Sequence, residues 1–581
     1  MAKELGRWTL ALDGTGLPEK SLIGGKAWSV ARMRALGLPV PPAFVITTRA
    51  CAEYLATGAL PEGLAAELAA GVQWLEDATA RRFGGDSAPL LLSVRSGSMI
   101  SMPGMMDTVL NLGINDVTQR ALAHETGDTA FAHDTRRRFV DLYARIVLRG
   151  TLPELAPDAP IDAWQSAVRD ATGTEVPADP HAQLHGAVSA VFESWNSRRA
   201  RRYREHHGIP HELGTAVTVQ AMVFGNLDAQ SGTGVLFSRN PLTGDPAPYG
   251  EYLARAQGED VVSGRYTPEP LAALERTSPA LHAELLEAAV VLERENGDVQ
   301  DIEFTIQQGR LYLLQSRAAK RAPAAAVRFA VDMVREGAID EATALSRVTA
   351  EQVRVLLSPR LAAGTADGAE VLAQGEAACQ GVGVGTVVTH TDDAERRAQA
   401  GEAVVLARDT TSPDDVHGMI VAKAVITEQG GATSHAAVVS RALGVPCVVG
   451  CGAGLLAALA GRTVTVDGAT GRVYAGALDV VAPDEAREPG LAELAEWAAR
   501  AAPLTVYTET SPEAADARDL DHTRGGEDPA QLAALAAGAT VLKGAVLNSD
   551  EGVRAAVAAG VRGIVVRRRL PALLAALTAA S

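Results

Sequence analysis

The sequence predicts an α/β protein built from several domains, and three observations carry that reading. The chain has 581 residues, which exceeds what a single core requires and fits about three to five domains of ordinary size. Short apolar runs of strand length alternate with amphipathic segments of helical period. Glycine and proline punctuate those runs at intervals that suit turns. Hydrophobic residues make up 47% and charged residues 21%, the balance of a soluble globular chain, and at 4% aromatics the cores must rest on Leu, Val and Ala.

A net charge of −17 argues against general binding to nucleic acid or to an anionic membrane, so no nucleic-acid or membrane partner is expected. A polyanionic nucleotide would need local Arg and Lys clusters together with metal ions. Met1-Ala2-Lys3-Glu4-Leu5 begins no signal-peptide core, and no apolar stretch reaches membrane-spanning length, so a cytoplasmic location is expected. Cys51, Cys379, Cys447 and Cys451 are too sparse for a disulfide framework, and Cys447 and Cys451 lack the further ligands of a zinc site.

In chain order, Pro39–Thr48 reads as a proline-rich turn feeding a strand, and Leu90–Arg95 as a buried strand ending in a polar loop. Val217–Phe224 and Gly234–Ser238 read as paired strands around a Gly/Asn/Asp turn. Asp301–Ile306 and Arg310–Gln315 form a hairpin turning at Gln308-Gly309. The pattern is helical from about 320 to 357, and Ser358–Gly368 reads as a linker. Short strands and glycine turns then run to Val473-Tyr474. A break at Val481–Glu485 precedes an alanine-rich segment of about a hundred residues.

Four stretches carry chemistry. In Gly24-Gly25-Lys26 the glycines let backbone approach a phosphate and Lys26 supplies charge, although the spacing is not that of a Walker A loop and a capped helix would look the same. Ser93–Thr108 places Arg95 at a strand end before a hydroxyl- and glycine-rich loop. Arg95 can clamp phosphate oxygens bidentately, while the loop methionines can equally be core filling. Asp301-Ile302-Glu303 sets two carboxylates on one side of a strand, with Gln315 and Arg317 at the same spacing opposite, a set that suits Mg²⁺ and a γ-phosphate; in a lone hairpin it would be a surface charge ladder. Finally, Ile426-Thr427-Glu428-Gln429-Gly430-Gly431-Ala432-Thr433-Ser434-His435 runs from a strand through a glycine pair into a helix. It presents the His435 imidazole beside the N–H groups of a helix start. A neutral histidine is a competent nucleophile near pH 7, which makes His435 a candidate phosphoryl carrier; alone it would more often cap a helix.

Together these motifs resemble pyruvate, phosphate dikinase over residues 15 to 480. Gly24-Gly25-Lys26, the Ser93–Asp107 loop continuing through Thr108–Gly113, Gly214–Val217, Ser238–Pro241, Ala256–Val262, the Asp301–Arg317 hairpin and Gly430–Val439 occur in that family's order. The resemblance implies an ATP-grasp-like nucleotide-binding region over 1–340, a helical linker over 341–375, and a swivelling β/β/α phosphohistidine domain over 376–480. It also implies that Lys26, Arg95 and Arg317 contact ATP phosphates with one arginine of Arg137-Arg138, that Glu303 and Gln315 hold Mg²⁺, and that His435 becomes the phosphohistidine. Thr433 matches a threonine that a regulatory kinase/phosphatase modifies in some members; a cap residue is the alternative. The implied reaction converts ATP, phosphate and pyruvate into AMP, pyrophosphate and phosphoenolpyruvate, and a homodimer is the assembly in view.

The family's C-terminal (β/α)₈ barrel has no room here, because such a barrel takes about 250 residues. Residues 490–581 read as a truncated α/β barrel remnant, with strands near Leu504–Thr510 and Gly560–Arg567 and no cysteine after Cys451. The expectation is therefore a chain equipped for the ATP half-reaction, with pyruvate served by a separate barrel subunit. Transfer to another small-molecule or protein acceptor, and a non-catalytic regulatory paralogue, stand as alternatives.

Overall fold

The computed structural model describes residues 3–580 apart from 101, 103, 263–265, 358–359, 363, 444, 482, 521–522 and 527. Ser101 and Pro103 of the methionine loop, Ser358, Pro359 and Ala363 of the expected linker, and Ala482 of the later break lie outside the described residues.

The N-terminal part is built on two antiparallel five-stranded sheets. In the first the order is Thr9–Ala11, Ala43–Ile46, Ala216–Ala221, Leu92–Gly97, Thr108–Leu112. Helix α1 (Lys20–Ala35) packs beside it, and strand β1 (Leu92–Gly97) carries Arg95. In the second sheet, β2 (Gly232–Phe237) lies between β3 (Tyr249–Ala254) and β4 (Gln300–Gln307), with β5 (Arg310–Ala318) outside β4 and Glu269–Pro270 outside β3.

Alternation along β4 decides the use of the second sheet. Ile302, Phe304 and Ile306 join the core formed with Ile23, Ala27 and Val30 of α1 and with Leu311 and Leu313 of β5. Asp301, Glu303 and Thr305 consequently face the other way. The β4–β5 hairpin turns at Gln308 (φ 51°) and Gly309 (φ 71°), left-handed conformations that suit a two-residue connection.

The structure corrects the reading of Val217–Phe224 and Gly234–Ser238 as partners. Ala216–Ala221 pairs with Ala43–Ile46 and β1, whereas β2 pairs with β3 and β4. Both strands are buried throughout, so each needs strands on both sides, and the Gly/Asn/Asp segment carries the chain between sheets instead of folding it back.

Helices at Pro323–Arg335, Glu341–Arg347 and Ala350–Leu356 follow. An eight-stranded mixed sheet then spans Val371 to Ala475, its centre formed by the parallel strands Val382–Val388, Val404–Arg408, Ala424–Thr427 and Cys447–Val449. Helix α2 (His435–Leu443) follows the third of these. Arg360–Leu361 pairs antiparallel with Val480–Val481, so the segments leading to and from this sheet form a two-stranded neck. The C-terminal segment forms a four-stranded parallel sheet in the order Thr505–Thr508, Gly563–Val566, Val541–Lys543, Arg518–Asp519. All four cysteines are free thiols. Among the described residues no helix is long and apolar enough to cross a membrane.

Candidate functional site

Register across the second sheet assembles the site. One row runs Tyr249, Phe237, Asp301, Arg317 across β3, β2, β4 and β5, and the next runs Glu251, Val235, Glu303, Gln315. A β-bulge after Glu303 ends the regular pairing beside these residues. Asp301 Oδ2 accepts from Arg317 Nε at 2.7 Å, and Glu303 Oε2 accepts from Arg95 Nη2 at 2.9 Å across the cleft between the sheets.

Lys26 completes the cluster because Gly24 interrupts α1. With φ 73° and ψ 165°, Gly24 breaks the helix and lets the second segment start at the cleft. A Cβ there would lie 1.9 Å from the Gly97 carbonyl oxygen, so only glycine fits against β1. Gly25 N–H donates to Ser98 O at 2.8 Å.

The charges shift one another. Burial, helped by Arg95 and partly countered by Glu303, lowers Lys26 to about 7. Burial would raise Glu303, but Arg95, Arg317 and Lys26 outweigh it and hold the carboxylate below its ordinary range. Asp301 is raised by burial despite Arg317. The face is rich in cation donors for oxyanions, and its carboxylate and amide oxygens at Glu303 and Gln315 form a hard donor set that fits Mg²⁺.

Arg137 stands apart from this cluster. Its Nε donates to Asp134 at 3.0 Å and its guanidinium lies 5.7 Å from the Trp164 ring centre. Arg138 bonds Asp134 at 2.8 Å and Asp260 at 2.9 Å, and so reaches the Ala256–Val262 motif.

His435 is carried to the same sheet face. The turn after Ala424–Thr427 contains Gly430 at φ 110°, and it docks through polar contacts. Thr433 Oγ1 donates to Glu251 in a buried contact, Ala432 N–H donates to Glu376 Oε2 at 3.0 Å, and Tyr249 O–H donates to Glu376 Oε1 at 2.9 Å. An apolar seam adjoins them, in which Met102, Met105, Trp195 and Tyr203 cluster with Met419, Ala436 and Val439. The loop methionines thus belong to the contact between the two parts.

His435 is largely enclosed where the motif alone suggested an imidazole displayed on a turn. Its Nδ1 lies 3.2 Å from Thr411 Oγ1, and its Nε2 is buried with no hydrogen-bond partner. Burial lowers its pKa to about 4, partly opposed by Asp415, so the ring is neutral at pH 7. Burial and the neighbouring Glu376 raise Glu251 to about 7. Tyr249, Glu251, Glu376, Thr411 and Arg441 escaped the sequence reading because none belongs to a local pattern; only Arg441, on the helix of His435, had a nearby signal.

Two family models match the chain. The pyruvate phosphate dikinase AMP/ATP-binding domain covers residues 20–82 and 60–287, and the mobile domain of PEP-utilising enzymes covers 400–471. Curated relatives agree. Pyruvate, phosphate dikinase of Rhizobium meliloti (strain 1021) is 40% identical over 551 residues, 86% of this chain and 61% of that one. The enzyme of Clostridium symbiosum is 39% identical over 542 residues, 87% and 62%. Pyruvate, phosphate dikinase 2 of Oryza sativa subsp. japonica is 43% identical over 514 residues, 82% and 57%. The chain belongs to the pyruvate, phosphate dikinase family. It spans about six tenths of the length of these dikinases. The mixed α/β architecture agrees with the dikinase N-terminal and mobile domains.

Proposed function

We propose that this chain is a phosphotransferase that moves a phosphoryl group from Mg-ATP, with orthophosphate as co-substrate, onto His435. One observation carries the reading: the turn bearing a neutral His435, its Nε2 buried and unbonded, docks on the sheet face that holds Asp301, Glu303, Gln315 and Arg317 beside Lys26 and Arg95.

Lys26, Arg95 and Arg317 neutralise and align the phosphate chain, and one arginine of Arg137-Arg138 joins them, with Arg138 better placed through Asp260. Glu303 and Gln315 would hold Mg²⁺, which would offset charge on the phosphate oxygens. The reactive tautomer is the one in which Nδ1 carries the proton toward Thr411 Oγ1, 3.2 Å away, so that the lone pair on Nε2 is left for phosphorus. Release of AMP requires attack at the β-phosphorus, and release of pyrophosphate requires orthophosphate to take the γ-phosphoryl group. Phosphorylation of Thr433 would set a dianion against Glu251 and prevent docking, which supports a regulatory role for that hydroxyl.

In this reading 1–340 is an ATP-grasp-like region, 341–375 its helical linker, 376–480 a swivelling carrier and 490–581 a barrel-derived unit. The phosphoryl group then passes to pyruvate on a barrel outside this sequence, supplied by a separate subunit. The relatives, named as pyruvate, phosphate dikinases, support that acceptor.

The test is incubation with Mg²⁺ and β-³²P-ATP, with and without orthophosphate. Acid-labile label on the protein, absent from His435→Ala, is expected. No label, or label that survives in His435→Ala, rejects the proposal.

A further inference from the structure

The helix that begins at His435 also carries a buried cation that no carboxylate hydrogen-bonds, although Asp301 and Glu251 lie within electrostatic reach of it. Arg441 is 3% exposed, and its Nη1 donates to Ala378 O at 3.1 Å. Its Nε and Nη2 are buried without partners. The guanidinium lies 6.0 Å from the Phe237 ring centre, and Phe237 is the register partner of Asp301. Asp301 is 2% exposed; its Oδ2 is taken by Arg317, while Oδ1 also has no partner. The Tyr249 hydroxyl, at the other end of the same row, is committed to Glu376.

A buried guanidinium with two idle donors is unfavourable unless an anion enters. The group that satisfies both sides accepts from Arg441 and donates to Asp301, as a monohydrogen phosphate oxyanion does. We infer that Arg441 is a phosphate-binding residue brought by the carrier itself, closing a subsite between α2 and the Phe237–Asp301–Arg317 row when His435 docks. This rests on the proposed function above.

Two sources supply such an oxyanion. In the first step Nε2 bonds to the β-phosphorus, the bond from that phosphorus to the α–β bridging oxygen breaks, and AMP departs with that oxygen. The oxyanion at Arg441 would then be the nucleotide's terminal phosphate. In the second step an orthophosphate oxygen bonds to the γ-phosphorus and the bond from the γ-phosphorus to the β–γ bridging oxygen breaks. That oxygen stays on the phosphohistidine, and pyrophosphate departs with the proton of the orthophosphate. The oxyanion would then be the incoming orthophosphate.

Arg441→Gln, Arg441→Lys and Arg441→Gly separate these in the full chain. AMP/ATP exchange without orthophosphate reports the first step, and conversion of ³²P-orthophosphate into pyrophosphate reports the second. Loss of a charge-assisted contact predicts a fall of about tenfold to a hundredfold in Arg441→Gln, partial recovery in Arg441→Lys, and rescue of Arg441→Gly by free guanidinium. A rescued loss in AMP exchange assigns the nucleotide's terminal phosphate. A raised KM for orthophosphate with normal AMP exchange assigns orthophosphate. Changes below about threefold in both arms, or equal losses that guanidinium leaves unrestored, overturn the inference, the latter marking a purely docking role. Wild-type protein silent in both arms removes the proposed function itself and the inference with it.

Discussion

Gly24→Ala tests the cleft at the place where sequence and geometry bind each other most tightly. The backbone at φ 73°, ψ 165° lies in a region that only glycine occupies freely, so alanine carries strain of about 1–3 kcal/mol. Its Cβ would also stand 1.9 Å from Gly97 O and 2.6 Å from Gly97 C. Removing that overlap means displacing α1 from the end of β1, and forced overpacking adds about 1–3 kcal/mol. The sum is about 2–6 kcal/mol. Because β1 carries Arg95 and α1 carries Lys26, the same shift separates the two cations. Gly25→Ala is the matched control: its Cβ would meet Ser98 O and Lys20 Cε at 3.4 Å, ordinary contact. Urea unfolding followed by hydrogen-exchange mass spectrometry should show Gly24→Ala losing protection in residues 20–35 and 92–97, together with β-³²P labelling. Gly25→Ala should stay within about 0.5 kcal/mol of the parent. Equal behaviour of the two variants would refute the close approach and the placement of Lys26 that depends on it.

Two further predictions follow from buried charge. The folded pKa of His435, about 4, lies below the ordinary 6.5, so unfolded chains take up the proton first. The stability this residue contributes is complete above pH 6.5 and is lost as pH falls toward 4; the difference between parent and His435→Asn should shift by about 3 kcal/mol over that window in urea titrations, and a flat difference would count against enclosure of the ring. Arg239, 7% exposed, donates to Glu293 at 3.0 and 2.7 Å and to Glu336 at 2.8 and 2.6 Å. Arg239→Ala leaves the half-buried Glu293 carboxylate with only the Ser238 hydroxyl as donor and should destabilise by about 2 kcal/mol, with Arg239→Lys recovering only part because it cannot fork.

The parts legible in the sequence were those whose cause is local. Period two in Asp301-Ile302-Glu303 and the Gln308-Gly309 turn are sufficient to place the hairpin, and a glycine pair before a helical run marks the turn at His435. Contacts made by chain topology left no such trace. Glu251 meets Thr433 only because β3 is the neighbour of β2, and the assignment of β2 itself depended on knowing that two buried strands belong to different sheets. The family resemblance supplied roles for Lys26 and Arg95, but not the break at Gly24 that brings them together.

The path of the chain also bears on which part of the molecule the proposed swivelling would move. The helices Pro323–Arg335, Glu341–Arg347 and Ala350–Leu356 share one core with the C-terminal unit, in which Val327, Leu345, Val353 and Leu357 pack with Leu491, Leu494, Leu570 and Leu573. The chain therefore leaves that core after Leu357, builds the His435 sheet, and returns to the same core at Leu491. Among the described residues the connection consists of the two-residue neck strands, a bond from Ala362 N–H to Asp479 O at 2.9 Å, and an ion pair between Arg360 and Glu488. The proposed carrier, joined this way, would separate from its dock by breaking polar contacts and a methionine-lined seam, whereas the flanking units would part only by exposing leucine. Limited proteolysis makes the difference measurable. Cuts within 360–370 and 476–490 should release a fragment containing His435, while the fragments on either side remain associated through size-exclusion chromatography. If instead the C-terminal fragment elutes alone and the His435 fragment stays with the nucleotide cleft, the shared core is not what holds the molecule together, and the unit that moves is the other one.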